Sequence, residues 1–135
     1  MAIKKHEQIF CGQLQKWCKY NMKYTFCWEA KICTTKSLNY KAHIPDHQRN
    51  SLLMCGSHFV YKISDMDRMQ KPMDGISIAE APGYFFIKFI NEKIRSNKTF
   101  YIIEVSRIEK EIEGGSKSLT EKRASEIADI IGQLK

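Results

Sequence analysis

The order of helix-like and strand-like segments constrains the fold of this chain more than any other feature. Apolar residues at helical spacing mark the helices, and β-branched and aromatic runs mark the strands. One strand lies between the first two helices, and four strands precede the last helix. Because this order is not a regular alternation, we predict an α/β domain with a mixed β-sheet flanked by helices, rather than a doubly wound parallel sheet. The predicted strands are residues 24–33, 58–63, 74–78, 84–89 and 100–105, the fifth being the last.

The first two helices have clear sequence signals. Residues 5–20 repeat apolar side chains at i, i+4 and i+7. Pro45 suits the first turn of the second helix, which we expect to run to about Cys55 and to stop at Gly56. In that helix Leu52 and Leu53 are both expected to point inward. The stripe of the first helix consists of Phe10, Leu14 and Trp17, with Glu7 on the same face.

The last helix is predicted after Gly115. The segment Ser118-Leu119-Thr120-Glu121 has the pattern of a capping box, which favours a helix start at this point. Residues 34–42 between the first strand and the second helix are polar, and we expect them to be irregular. The apolar stripe of the last helix is expected to contain Ala124, Ile127, Ala128 and Ile131.

Length, charge and the absence of targeting signals limit the classes of protein to which this chain can belong. The chain has 135 residues, which fits one domain covering residues 1–135. Its net charge of +7 and its pI near 9.2 favour a polyanionic partner such as nucleic acid. No apolar run is long enough to cross a bilayer, and the N-terminus lacks the apolar core of a signal peptide. We therefore expect a cytoplasmic protein without a membrane partner.

The cysteines do not indicate a disulfide framework. The chain has five of them, an odd number, and no two are spaced as in a CxxC pair. Free cysteine behaves as a small apolar side chain. We therefore expect reduced thiols in or near the core, and neither a disulfide framework nor a zinc knuckle.

The candidate metal-binding and catalytic side chains lie in the segment Phe26-Cys27-Trp28-Glu29-Ala30-Lys31. Side chains alternate along a strand, so Glu29 and Lys31 point to the same face as Cys27, and Trp28 and Ala30 point to the other. A carboxylate can bind a hard cation such as Mg²⁺, and a neighbouring lysine can orient an attacking water. The same spacing is also common in simple ion pairs on strand surfaces.

The residues after Lys31 extend this pattern. A polar stretch containing Lys36-Ser37-Leu38 is followed by His43-Ile44-Pro45-Asp46-His47-Gln48 and then by an apolar helix. Over about residues 7–63 the chain resembles the Holliday-junction resolvases of Gram-positive bacteria and their phages (RecU-like), a branch of the PD-(D/E)XK nucleases. The resemblance implies a restriction-endonuclease-like fold, DNA cleavage with Mg²⁺ or Mn²⁺, and a homodimer that acts on branched DNA in recombination or repair.

The resemblance also implies roles for single residues. Glu29 would bind the metal with the backbone carbonyl near Ala30, and Glu7 matches an acid in the first helix of related resolvases. Lys31 would be the catalytic lysine, and Gln48 would lie beside the active site. Contacts to DNA phosphates would come from His43, His47, Lys36 and Lys71. Because Pro45 lies between the two histidines, a zinc site at this His-x-x-x-His spacing is not favoured.

One acid of the family pattern is missing. The pattern places an aspartate on the strand before E-x-K, but residues 19–24 contain no acid. Asp74, which opens a predicted strand, is the candidate replacement, although an aspartate there is also typical of an ordinary turn. Asp46 is a weaker candidate because it can serve simply to cap the second helix. A second registration, in which Asp74 pairs with Phe86-Ile87-Lys88, puts Phe86 in the acidic position and is rejected.

Three functions are therefore open. The preferred one is a metal-dependent endodeoxyribonuclease. A non-catalytic nucleic-acid-binding module on the same fold is favoured by the missing aspartate. A structural or protein-interaction domain, in which the basic charge is incidental, is the third.

Overall fold

A computed structural model describes residues 2–63, 73–90 and 98–135. Lys71, one of the predicted phosphate contacts, lies outside these residues. The described helices are α1 (Ala2–Asn21), α2 (Tyr40–His43), α3 (Asp46–Met54), α4 (Val105–Glu113) and α5 (Glu121–Ile127). The described strands are β1 (Cys27–Cys33), β2 (Ser37–Asn39), β3 (His58–Lys62), β4 (Gly75–Ala79), β5 (Gly83–Phe89), β6 (Thr99–Glu104), β7 (Ser118–Thr120) and β8 (Ile130–Gln133).

The centre of the fold is a four-stranded mixed sheet in the order β1-β5-β6-β8. Strands β1 and β5 are parallel, whereas β6 is antiparallel to both of its neighbours. Two smaller ladders lie outside this sheet, β2 with β7 and β3 with β4. The prediction of a mixed sheet flanked by helices is therefore confirmed.

Apolar side chains cover both faces of the central sheet. On one face, α1 packs Phe10 and Leu14 against Phe86 and Phe100. The other face is covered mainly by α3, α4 and α5. Because β5 and β6 lie inside the sheet and are covered on both faces, they read as nearly continuous apolar runs. Strand β1 contributes to both cores, with Ala30 on the α1 face and Cys33 on the face of α3.

The first half of the chain follows the prediction closely. Helix α1 covers the predicted segment, and its Trp17 ring packs edge-on against Phe100 with 5.0 Å between centroids. Helix α3 also begins where Pro45 predicted it, with Pro45 as its N-cap. The inward position of Leu53 was wrong, because this side chain is 42% exposed while Leu52 is buried. The irregular connection at residues 34–42 was wrong as well, because it contains β2 and α2.

The last third of the chain differs from the prediction. Strand β6 is not the last strand, and the described chain continues through α4, β7, α5 and β8. The cap of α5 is Thr120, whose side chain accepts a hydrogen bond from the Arg123 amide, and not Ser118. Ile131 lies in β8 and is 51% exposed, so it does not belong to a helical stripe.

Cys27 and Cys55 form a disulfide across 28 residues of sequence, contrary to the expectation of reduced thiols. The remaining cysteines, Cys11, Cys18 and Cys33, are free, as expected. The disulfide ties the beginning of β1 to the end of α3. Among the described residues, no helix combines the length and the apolarity needed to cross a membrane.

Candidate active site

Glu29 and Lys31 lie on β1, the strand at one end of the described sheet. Their register partners on β5 are Phe85 and Ile87, which belong to the core on the α3 face. The Lys31 ammonium lies 3.6 Å from a Glu29 carboxylate oxygen, and the lysine side chain is only 13% exposed. An ammonium so far removed from water needs a compensating charge, and Glu29 provides it. The predicted pairing of these two side chains on one face is confirmed.

A cleft of about 260 Å³ opens beside this strand, and we call it the site cleft. It brings together Glu7 from α1, Lys31 from β1, His43 from α2 and Gln48 from α3. These four residues belong to four separate elements, and all four were predicted as site residues. The rest of its lining is Ile32, Cys33, Thr34, Thr35, Ala42 and Pro45.

Gln48 presents an unsatisfied acceptor at this cleft. Its side-chain Oε1 is buried and has no hydrogen-bond partner among the described residues. Its backbone amide donates to the Pro45 carbonyl at 3.1 Å, which fixes the residue in the first turn of α3. A buried amide oxygen without a partner is costly. A donor or a cation in the site cleft would remove this cost.

The carboxylates near the site cleft affect the pKa of the Cys11 thiol. Burial raises the pKa of Cys11, and the negative charges of Glu29 and Glu7 raise it further. Both carboxylates therefore act on one point, although they come from β1 and from α1. Cys11 was not among the predicted site residues, although its i+4 spacing from Glu7 puts both residues on one face of α1.

The connection between α2 and α3 is held by Arg49, which the sequence analysis also missed. The guanidinium donates to the Ile44 carbonyl at 2.8 Å, to a Glu109 oxygen on α4 at 2.6 Å, and to Asp46. The Arg49 side chain is 12% exposed. Because Ile44 lies between His43 and Pro45, these bonds fix the part of the chain that forms one wall of the site cleft. Asp46, the weaker candidate ligand, is thus engaged in an ion pair.

Of the predicted DNA-contacting residues, His43 lines the site cleft, whereas His47 and Lys36 do not. The Nδ1 of His43 lies 3.2 Å from the Asn39 carbonyl oxygen. His47 is exposed in the first turn of α3, and Lys36 is exposed between β1 and β2. The two histidines belong to different helices, α2 and α3.

Asp74 lies directly before β4, and its carbonyl accepts a hydrogen bond from the Ile63 amide at 2.9 Å. Strand β4 is hydrogen-bonded to β3 and forms a ladder separate from the central sheet. Within residues 2–63, 73–90 and 98–135, no three histidine, cysteine, aspartate or glutamate side chains form a group that could hold a metal ion. The role of Asp74 as a metal ligand stays a prediction.

The two residues of the rejected second registration, Phe86 and Lys88, contact the core on the α1 face of the sheet. Phe86 has no exposed surface. The Lys88 ammonium lies over the Phe10 ring at 5.8 Å from the centroid, and burial lowers the pKa of Lys88. Neither side chain lines the site cleft.

The donor chemistry of the site cleft and the adjoining strand suits a hard divalent cation. Glu7, Glu29 and the Gln48 amide all offer oxygen atoms, which Mg²⁺ and Mn²⁺ prefer as ligands. The unpartnered Gln48 oxygen is the observation that fits a cation or a metal-bound water most directly.

Comparison of this chain with protein-family models, curated proteins and solved structures finds no match.

Proposed function

We propose that this chain is a Mg²⁺- or Mn²⁺-dependent endodeoxyribonuclease with a restriction-endonuclease-like fold. A Holliday junction or similar branched DNA is the proposed substrate. The supporting observation is the assembly of Glu7, Lys31, His43 and Gln48 around one cleft beside the Glu29–Lys31 pair. These residues come from four separate elements, and the chain has a net charge of +7. A basic protein with a concave site that combines carboxylates and a lysine suits a phosphodiester substrate.

In this proposal each side chain has one task. Glu29 and Glu7 would hold the cation, with the carbonyl near Ala30 as a further ligand. When bound, the cation polarises the phosphate and offsets the charge of the leaving oxygen. Lys31 orients the attacking water and, since Glu29 keeps it close to the strand, it does so from a fixed position. Gln48 accepts a hydrogen bond from that water.

A homodimer fits this function because symmetric cutting of two strands requires two active sites. The alternative remains a non-catalytic DNA-binding module. It is supported by the absence, in the described residues, of a group of three metal-ligating side chains.

The test is cleavage of a labelled four-way junction and of a linear duplex with the same sequence, with Mg²⁺, Mn²⁺ or EDTA. Glu29→Gln and Lys31→Met should each reduce cleavage by roughly 10²-fold or more, the usual effect of removing one positioned charge-stabilising group. Glu113→Gln and Lys19→Met change the same residue types at exposed positions and should cut like the wild type.

Junction preference would support the branched substrate. Binding without any cleavage by the wild type would favour the non-catalytic module. Cleavage that survives both Glu29→Gln and Lys31→Met would contradict the proposed active site.

A further inference from the structure

A second cleft, of about 600 Å³, lies between α2 and the connection from α4 to β7, and we call it the lysine cleft. Three cations line it, Lys41, Arg49 and Lys117, against one anion, Asp46. Arg49 is already engaged by Asp46 and Glu109. Lys41 and Lys117 are exposed and make no ion pair within the described part of the chain. Two uncompensated positive charges therefore face this cleft.

The backbone holds these two lysines close together. Strands β2 and β7 pair Asn39 with Ser118, and the next hydrogen bond joins the Tyr40 amide to the Lys117 carbonyl at 3.1 Å. Lys41 follows Tyr40 directly in α2, so both lysines lie beside this backbone hydrogen bond at the end of the ladder. Like charges held near each other repel. A bound anion would remove this repulsion.

Helix α2 separates the lysine cleft from the site cleft. Lys41 lines the former and His43 lines the latter. Two residues along a helix correspond to a rotation of about 200°, so these side chains point to opposite sides of α2. A helix with its side chains is about 10–12 Å across, and DNA rises about 3.4 Å per nucleotide along each strand. The two clefts thus lie on opposite sides of one helix, a separation that neighbouring nucleotides of one strand can span.

We infer that the lysine cleft binds a backbone phosphate of the DNA whose neighbouring segment occupies the site cleft, with Lys41 and Lys117 as the contacts. This inference rests on the proposed function for the identity of the ligand as DNA, but it does not require cleavage. Lysines at such a position fix the register of the strand without reading its sequence.

The test is the salt dependence of DNA binding, measured by fluorescence anisotropy in EDTA so that no cutting occurs. The Lys41→Gln/Lys117→Gln double variant is compared with Lys16→Gln/Lys19→Gln, which removes the same charge from exposed positions on α1, across the sheet. Loss of the two lysine contacts to this phosphate should make the slope of log K against log salt shallower by about one to two. Affinity at low salt should fall about ten-fold, and the α1 variant should change much less.

Equal losses in both double variants, or wild-type binding by the Lys41/Lys117 variant, would overturn the inference. Inorganic phosphate at constant ionic strength serves as a second arm, and saturable binding of it at this cleft without any DNA binding would assign the cleft to free phosphate instead. A wild type that binds DNA through the lysine cleft but never cuts it would keep this inference and refute the nuclease.

Discussion

Strands β5 and β1 are hydrogen-bonded neighbours, but β5 is almost entirely buried whereas β1 carries the Glu29–Lys31 pair. Strand β5 has a strand on each side, and six of its seven residues are buried. Among the residues that the structure describes, strand β1 has a neighbouring strand on one side only, and four of its seven residues are partly exposed. On β1 the Glu29 side chain is 41% exposed, whereas the Lys31 side chain paired with it is only 13% exposed. Position in the sheet, rather than strand propensity, therefore decides where chemistry can be placed.

Because β5 is buried and β1 is partly exposed, we expect that substitutions on β5 mainly reduce stability and that substitutions on β1 mainly reduce function. One pair of register partners on these strands gives the largest expected difference. Phe85 and Glu29 face each other across β5 and β1. Phe85→Ala removes a fully buried ring and should cost about 3–5 kcal/mol of unfolding free energy. Glu29→Gln changes a side chain that is 41% exposed but leaves the 13% exposed Lys31 ammonium without its charge partner, so it should cost about 1–2 kcal/mol, less than Phe85→Ala.

Urea unfolding of the two variants measures both effects, with Tyr61→Ala on the exposed surface of β3 as the control. If Glu29→Gln destabilises the protein as much as Phe85→Ala, the charged pair is part of the structural core and the comparison fails.

The second test concerns the disulfide, which ties β1 to α3 independently of the sheet. Closing a loop between residues 28 apart reduces the entropy of the unfolded chain, and removing the bond should cost about 3–4 kcal/mol. Reductant should therefore lower the urea midpoint of the wild type and leave that of Cys27→Ser/Cys55→Ser unchanged. Denatured, unreduced protein should react at three thiols, which are the free cysteines. Five reactive thiols would show that the bond does not form.

The smallest expected effect is on the reactivity of Cys11. Glu29 and Glu7 help to raise the pKa of this thiol, whereas burial alone raises the pKa of Cys18 to about 11. Removing the two negative charges in Glu7→Gln/Glu29→Gln should lower the Cys11 pKa and increase its thiolate fraction at a given pH. Alkylation of Cys11, followed by mass spectrometry, should become a few-fold faster. The rate at Cys18 is the internal control, and an equal change at both thiols would contradict the placement of the carboxylates.

The parts of the fold that the sequence could predict are those with local periodicity. Alternation along β1 predicted that Glu29 and Lys31 share a face, and the proline signal predicted the start of α3. Helix α4 was missed although Val105, Ile108 and Ile112 recur at i, i+3 and i+7, because Val105 was counted as the end of a strand. Strands β7 and β8 have three and four residues, and such short strands are defined by their partners rather than by their own sequence.

The candidate site was predicted in part from the family resemblance rather than from local periodicity. The family resemblance named Glu7, Lys31, His43 and Gln48, and all four line the site cleft. Cys11 and Arg49 were missed because their relevance comes from contacts with distant elements. The 2.6 Å bond from Arg49 to Glu109 joins residues 60 apart in sequence. The disulfide could not be deduced from spacing either, since an odd number of cysteines allows many pairings.

The central claim is that Glu7 and Glu29 act together as ligands of one cation, and Mn²⁺ binding tests it without a substrate. We would titrate Mn²⁺ into the wild type and into Glu7→Gln/Glu29→Gln, following free Mn²⁺ by electron paramagnetic resonance, with Glu113→Gln as the control. We predict saturable binding by the wild type and by the control, and a loss of about ten-fold or more in affinity, at least about 1.4 kcal/mol, in the double variant. Equal Mn²⁺ affinity in the wild type and the double variant would contradict a cation site at these carboxylates.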